Sequence, residues 1–156
     1  MHRIRPTARK KKRLPLCFTA TCGSDLEPLV SEEIAAFGGD EISAHPGAVT
    51  WTGSLESGYR ACLWSRFASR ILLELARFDA PNPDALYAHA STILWDEHFT
   101  VQSTFAVHTT LVNAALNHSQ FASLRIKDAI VDQFRKRFGK RPDVNAFAPD
   151  IRINLH

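Results

Sequence analysis

The side chains with the clearest chemical meaning are the lysines and arginines, which concentrate in two segments of the 156-residue chain. Residues 1–13 carry a charge of +7 and residues 119–141 a charge of +5, whereas residues 14–118 carry −8 and residues 142–156 carry −1. Such segregation favours an anionic partner that the protein meets at two places. Because clustered lysines and arginines neutralise phosphate groups, the pattern indicates a nucleic acid.

The basic segment at residues 119–141 ends in cations that have no acid close to them in the sequence. We predict a helix from Ser119 to Phe138 that ends at Gly139. One or two cations suit the negative end of a helix dipole, but five favour contact with a phosphate backbone. These five candidates are Arg135, Lys136, Arg137, Lys140 and Arg141.

The faces of this helix give two further candidates and their alternatives. Arg125 falls opposite the apolar face, near Asp128 and Asp132, which is also typical of a solvated helix laced with weak ion pairs. Lys127 falls among the apolar positions, so it either extends along the apolar surface to solvent or projects into a cleft beside the polar loop at residues 117–119. The apolar positions themselves are Leu124, Ile126, Ile130, Val131, Phe134 and Phe138.

The basic run near the N-terminus has almost no apolar residue to bury, so residues 1–13 are expected to be disordered in the free protein. The cations of this run are Arg9, Lys10, Lys11, Lys12 and Arg13. The run is either a solubilising tail or an arm that contacts phosphates, and the sequence favours neither interpretation over the other.

The chain contains none of the sequence motifs that mark the common catalytic sites. It lacks a glycine-rich nucleotide loop, an H-E-x-x-H zinc motif and a serine nucleophile elbow. Its three cysteines are scattered, which is typical of reduced, partly buried thiols in a cytoplasmic protein. Its histidines do not have the spacing of metal ligands. No segment approaches the roughly 20 apolar residues of a membrane span. The sequence therefore predicts no catalytic, metal or cofactor site in this chain, and no membrane contact.

The elements of residues 14–78 follow the order βαββαβ. This order predicts an α+β ferredoxin-like domain, with a four-stranded antiparallel sheet and two helices on one face. Ser54 is expected to cap the second helix. The apolar face of that helix, which should pack on the core, consists of Leu55, Tyr59, Cys62 and Leu63. Strands are expected at residues 14–22, 41–44, 48–52 and 71–78, and the first helix at residues 26–37.

A second α/β domain is predicted at residues 79–156, after a break at residues 80–83. Helices are expected at residues 84–93 and 119–138, and strands at residues 104–111 and 150–156. The final strand places Ile151, Ile153 and Leu155 on one face. Because the chain ends on this strand, the natural protein is expected to continue.

Several stretches together resemble a THUMP domain and the ferredoxin-like domain that precedes it. The run at residues 117–132 is similar to the THUMP domain of bacterial large-subunit ribosomal RNA guanine-N2-methyltransferases, including the bifunctional L/K enzymes. The same family pattern is found at residues 18–23, 59–71, 104–108, 141–144 and 148–154. The resemblance covers about residues 16–156 in collinear order.

The resemblance implies a THUMP domain at residues 79–156 whose last strand is missing. Whether the sequence pattern of the THUMP family already begins near residue 55 stays open. It implies that the chain binds structured 23S ribosomal RNA and presents it to a catalytic domain. That domain is expected in cis, in the same protein, and this chain lacks it. S-adenosylmethionine is expected in that domain, and no cofactor in this chain. By the match, Asn117, Ser119, Arg125 and Lys127 lie where a THUMP domain presents its RNA-facing loop and helix.

Recognition is expected to rest on RNA shape and phosphates, because most Phe and Trp residues fall on core-facing positions. Two other functions stay open. One is a THUMP module of a tRNA-modifying enzyme, which the ribosomal-type match around residues 64–66 disfavours. The other is a protein-interaction domain that uses the acidic body, for which binding should not depend on Lys136, Arg137 or Arg141. Whether this chain is itself an enzyme is also left open.

Overall fold

The computed structural model describes residues 15–112 and 118–156. These residues divide into two compact units, the first ending at Leu75 and the second beginning at Ala76. Each unit has its own cluster of buried apolar side chains, as expected when each is a domain with a separate core.

The first unit alternates strands and helices in the order βαββαβ. Its elements are β1 (Leu16–Cys22), α1 (Glu27–Ala36), β2 (Asp40–His45), β3 (Ala48–Gly53), α2 (Leu55–Trp64) and β4 (Ala68–Leu73). Neighbouring strands pair antiparallel in the order β2-β3-β1-β4. This is the ferredoxin-like arrangement that the sequence predicts, and its core includes the rings of Phe18 and Trp51, stacked with centroids 5.1 Å apart.

Turn and capping residues explain where these elements begin and end. Gly38 and Gly47 have positive φ angles of 84° and 75°, which suit the end of α1 and the hairpin between β2 and β3. The Gly47 N–H also donates to the Glu27 carboxylate at 2.7 Å. The Ser54 hydroxyl accepts a hydrogen bond from the Ser57 N–H at 3.3 Å, so the predicted cap of α2 is confirmed.

Helix α2 packs on the sheet through its smallest residues, so its predicted core face is wrong. Ser57, Gly58 and Ala61 are buried, while Leu63 is 77% exposed. A Cβ atom at Gly58 would lie 2.5 Å from the Phe18 ring, which shows how closely the helix approaches the core. Larger side chains on that face would hold the helix away. The predicted core residues are all exposed: Leu55, Tyr59, Cys62 and Leu63.

The last strand of this unit begins and ends earlier than the predicted range of residues 71–78. Strand β4 pairs with β1 from Cys22 opposite Ala68 to Phe18 opposite Leu73. One further backbone hydrogen bond joins the Glu74 N–H to β1, and β1 itself begins at Leu16. Because a strand can only extend where a partner strand offers hydrogen bonds, β1 sets the end of β4.

The second unit combines two α-helices with a small parallel sheet. Its elements are α3 (Pro83–Ala90), a single 3-10 turn (Trp95–Glu97), β5 (Thr104–Thr109), α4 (Ser119–Phe138), β6 (Asp143–Val144) and β7 (Ile151–Leu155). The strand order is β6-β5-β7, and both outer strands run parallel to β5. Helix α3 ends at Ala90 rather than at the predicted residue 93, because the 3-10 turn and its approach occupy the intervening residues.

The core of the second unit is built around aromatic rings beneath α4. Phe99 contacts Phe105 and Phe134, with ring centroids 5.7 and 5.2 Å apart. The prediction that Leu124 and Phe138 join this core is wrong, because both are about half exposed. At 100° per residue both lie on the same side of the helix as the buried Val131, but Val131 is in the middle of α4, whereas Leu124 is in its second turn and Phe138 is its last residue. The buried residues of α4 are Ala122, Ile126, Ala129, Ile130, Val131 and Phe134.

Candidate nucleic-acid interface

The C-terminus of α4 has a defined end, which fixes where its cations project. Gly139 adopts the left-handed conformation, with φ of 66°, and its N–H donates to the Arg135 carbonyl at 2.9 Å. Pro142, three residues later, is fully buried. Because proline disfavours a helical residue before it, the chain leaves the helix axis here and turns into β6.

Arg137 is not an unpaired cation, and in this respect the prediction from the sequence is wrong. Its guanidinium forms an ion pair with Asp96, which lies in the 3-10 turn 41 residues earlier in the chain. The neighbouring Trp95 is buried in the core, so the turn that carries Asp96 is held in place. Arg137 therefore attaches α4 to this turn.

Arg125 is also engaged within its own unit, where it joins α3 to α4. Its guanidinium donates to the Asp84 carboxylate at 2.7 Å and lies 4.8 Å from the centroid of the Tyr87 ring. The Tyr87 hydroxyl donates to Asp132 at 2.9 Å, and this hydrogen bond is the main reason that the pKa of Tyr87 is raised. These contacts give Arg125 and Asp132 a structural role between the two helices.

Four cations remain exposed and without a hydrogen bond or ion pair to any side chain in the described part of the chain. We call this group the basic end of α4, and it consists of Arg135, Lys136, Lys140 and Arg141. Asp143 is the nearest acid in the sequence, but no ion pair joins it to any of the four. The group is therefore a concentration of positive charge available to an external anion.

The remaining predicted residues lie apart from the basic end of α4. Ser119 is exposed at the first turn of the helix and lines a shallow depression of about 510 Å³ together with His118, Gln120, Phe121 and Leu124. At 1.5 Å per residue, Ser119 lies about 24 Å along the helix from Arg135. Lys127 is half-buried between them. Asn117 lies outside the described residues, as do the tail cations Arg9, Lys10, Lys11, Lys12 and Arg13.

Phe147 is an exposed aromatic residue that the sequence analysis missed. Phe147 projects from the loop between β6 and β7 with 92% of its surface exposed. The signal that could have found it is local: Asn145 and Pro149 flank it, and both residues are typical of turns rather than of a buried strand.

Other kinds of site are not found among the residues that the structure describes. No group of three or more His, Cys, Asp or Glu side chains there is placed to hold a metal ion. The three cysteines are unpaired, and Cys17 and Cys62 are exposed rather than partly buried as expected. Across residues 15–112 and 118–156, no helix has both the length and the apolar character to cross a bilayer.

Comparison with known domain families agrees with this architecture. The model of the RlmL ferredoxin-like domain matches residues 17–72, and the model of the THUMP domain matches residues 80–156. The chain thus pairs a ferredoxin-like domain with a THUMP domain, the class of protein that its two units define. Curated proteins named ribosomal RNA large subunit methyltransferase K/L share about half of the residues in the region where they match this chain.

The curated relatives are considerably longer than the matched region. The methyltransferase K/L of Syntrophotalea carbinolica is 48% identical over 142 residues, which are 91% of this chain and 20% of the relative. That of Desulfotalea psychrophila is 49% identical over 140 residues, 89% of this chain and 19% of the relative. The chain therefore spans about one fifth of the length of these relatives.

A solved structure shares the fold of both units. The crystal structure of a predicted N6-adenine-specific DNA methylase from Listeria monocytogenes has a TM-score of 0.74 and 27% sequence identity to this chain. The similarity covers 81% of this chain and 33% of that protein. The ferredoxin-like and THUMP units therefore recur as a fraction of longer proteins.

Proposed function

We propose that this chain binds structured RNA through the basic end of α4, as the RNA-recognition part of a large-subunit ribosomal RNA guanine-N2-methyltransferase. The observation that carries the proposal is the group of four exposed cations that no acid neutralises among the described residues. A cation left without a protein partner is free to exchange its counterions for phosphates, and that exchange supplies much of the affinity for nucleic acid.

The identity of the RNA is inferred from the relatives. Proteins named ribosomal RNA large subunit methyltransferase K/L match nearly the whole chain at 48% and 49% identity, so large-subunit ribosomal RNA is the preferred substrate class. The proposal assigns the methyl donor, S-adenosylmethionine, to a catalytic domain of the same protein outside the matched fifth of the relatives. It assigns the whole protein to the cytoplasm, where ribosomal RNA is assembled in bacteria.

The basic end of α4 is suited to contact the backbone of double-stranded RNA and not to read its base sequence. A-form RNA hides its base edges in a deep, narrow major groove, so proteins mostly contact its backbone and shape. Cations that project from the end of a helix and from the turn after it can follow such a backbone. Phosphate contacts position the RNA, and a separate feature must supply any preference for one site.

The test compares two double variants that remove the same charge from different units. Lys136→Ala with Arg141→Ala removes two cations of the basic end of α4, and Arg60→Ala with Arg70→Ala is the matched control in the first unit. Arg137 is left intact because its loss would leave the Asp96 carboxylate, which is mostly buried, without a partner. Fluorescence anisotropy with a ribosomal RNA hairpin is measured over a salt series.

We expect the first double variant to weaken binding by roughly 2- to 30-fold, as two exposed ion pairs of about 0.2–1 kcal/mol each imply. The slope of log K against log salt should fall by about two, since each phosphate contact contributes about one. The control should stay near the wild type. Equal weakening by both variants would mean that only net charge matters, and an unchanged first variant would reject this surface.

Two additional measurements distinguish between the functions that the sequence leaves open. A version without residues 1–13 measures the contribution of the basic tail independently of α4. A transfer RNA titrated beside the hairpin gives the ratio of affinities, which should favour the ribosomal hairpin. A ratio that favours transfer RNA would support a tRNA-modifying enzyme, and no binding of either RNA would favour a protein-interaction domain.

A further inference from the structure

The loop between β6 and β7 holds Phe147 in an exposed position that its hydrogen bonds define. The Asn145 side-chain oxygen accepts from the N–H groups of Phe147 and Ala148, each at 3.1 Å, and its amide donates to the Ala148 carbonyl at 3.0 Å. The Arg152 guanidinium donates to the Phe147 carbonyl at 3.1 Å. The backbone on both sides of the ring is therefore fixed, although the ring itself contacts little and is 92% exposed.

The strand topology places this loop at the same end of the second unit as the basic end of α4. Strands β6 and β7 both run parallel to β5, and both Val144 and Ile151 pair with Phe105 near the start of β5. The loop between them must therefore pass the end of the sheet where β5 begins. Helix α4 also ends there, because β6 follows it after only four residues.

Both ends of this loop are hydrogen-bonded to the first residues of β5. The Asn145 N–H donates to the Phe105 carbonyl at 3.1 Å. The Asp150 carboxylate accepts from the Thr104 N–H at 2.7 Å and from its hydroxyl at 2.9 Å. These hydrogen bonds are the main reason that the pKa of Asp150 is lowered. The loop is thus anchored on both sides of β5 and presents Phe147 between the two anchors.

An exposed aromatic ring beside unpaired cations is the combination that binds a nucleobase and its phosphates together. Every base has a π face that can stack on an aromatic side chain, while neighbouring cations hold the backbone. A buried base pair offers no free face, so the ring requires a base that is unpaired, as in a bulge or loop. We infer that Phe147 is a stacking platform for one unpaired nucleobase of an RNA whose adjoining duplex binds the basic end of α4.

This inference rests on the proposed function. Phosphate contacts alone cannot distinguish an RNA with an unpaired base from a fully paired duplex. Phe147 would confer a preference for duplexes interrupted by an unpaired base. The four cations at the same end of the unit favour a nucleic acid over an apolar protein surface, because docking of such a surface there would leave those charges without partners.

The test uses the full chain and two RNA duplexes that differ only in one bulged 2-aminopurine. Wild type, Phe147→Ala, Phe147→Tyr and the control Trp64→Ala, which removes an exposed aromatic from the first unit, are titrated with both duplexes. Affinity is measured by anisotropy, and the environment of the bulged base by 2-aminopurine fluorescence. Thermal unfolding checks that each variant is folded, which is expected because Phe147 is exposed.

Wild type, Phe147→Tyr and Trp64→Ala should prefer the bulged duplex and change its fluorescence on binding. Phe147→Ala should bind the fully paired duplex normally but lose roughly 5- to 150-fold of its affinity for the bulged one, the range for one base–aromatic stack. If Phe147→Ala keeps the wild-type preference and fluorescence change, the stacking role is wrong while RNA binding by α4 stands. If the wild type binds neither duplex, the proposed function fails as well.

Discussion

At the level of single residues, carboxylates decide which cations of α4 are available to a ligand. Arg125 and Arg137 meet Asp84 and Asp96, both contributed by segments that pack against the helix from about 40 residues earlier. Lys136, on the same helix, meets no carboxylate among the described residues. The sequence could predict that α4 is basic, but not which cations are neutralised, because that depends on contacts distant along the chain.

Glu33 shows the same effect of position on an acid. Its side chain is only 10% exposed, and it accepts hydrogen bonds from the Ser65 hydroxyl at 2.6 Å and from the Arg66 N–H at 3.1 Å. Burial by itself would raise the pKa of Glu33, but these hydrogen bonds and the charge of Arg66 lower it below its usual value of 4.5. The ionised carboxylate therefore holds the turn between α2 and β4 against α1.

Replacement of Glu33 should therefore cost stability in a way that depends on pH. A lowered pKa in the folded state means that the ionised group stabilises the protein above its unfolded pKa, and that this contribution is lost as the pH falls through the folded value. We expect Glu33→Gln to lower the free energy of unfolding by about 1–3 kcal/mol at pH 7, and by less below about pH 4.

Urea unfolding at a series of pH values measures this difference directly. The exposed neighbour Glu32 provides the control, because Glu32→Gln makes the same change in charge one residue away. That control should stay within about 0.5 kcal/mol of the wild type at every pH. A Glu33→Gln effect that is constant from pH 3 to pH 7 would show that charge plays no part in the contact.

At the level of elements, helices α4 and α2 differ in how well the sequence predicts them. The C-terminal end of α4 agrees with the prediction because Gly139 and Pro142 act locally. The buried face of α2 does not, because helical periodicity identifies an apolar stripe but not which stripe faces the sheet. Gly53 and Gly58 settle the question: a Cβ atom on either would lie within 2.5 Å of a neighbouring side chain, so the glycine face must be inside.

This packing of α2 predicts a large effect on stability for one substitution and a small effect for another. Gly58→Val should lower the free energy of unfolding by about 1–3 kcal/mol, because it places atoms into the space of the Phe18 ring. Leu63→Ser removes an exposed side chain and should change it by less than about 0.5 kcal/mol. Chemical unfolding of both variants checks this, and a large loss for Leu63→Ser with none for Gly58→Val would restore the face predicted from the sequence.

At the level of the whole molecule, the charge is divided between an acidic body and short basic segments. The net charge is only +3, so attraction to RNA by the chain as a whole is weak, and the direction of approach depends on where the positive charge is concentrated. Among the described residues, that place is the end of the second unit that carries the basic end of α4. Residues 15–75 of the first unit carry eight acids and only three arginines, a net charge of −5, so they would be repelled by phosphates.

The most direct test of RNA binding at this end of the second unit is an NMR titration of the 15N-labelled chain with a bulged ribosomal RNA duplex. The basic end of α4 and the Phe147 loop predict that the largest amide shifts fall within residues 135–149, and that they persist when residues 1–13 are removed. Shifts confined to residues 16–73, or lost together with the tail, would contradict the account and place the RNA elsewhere.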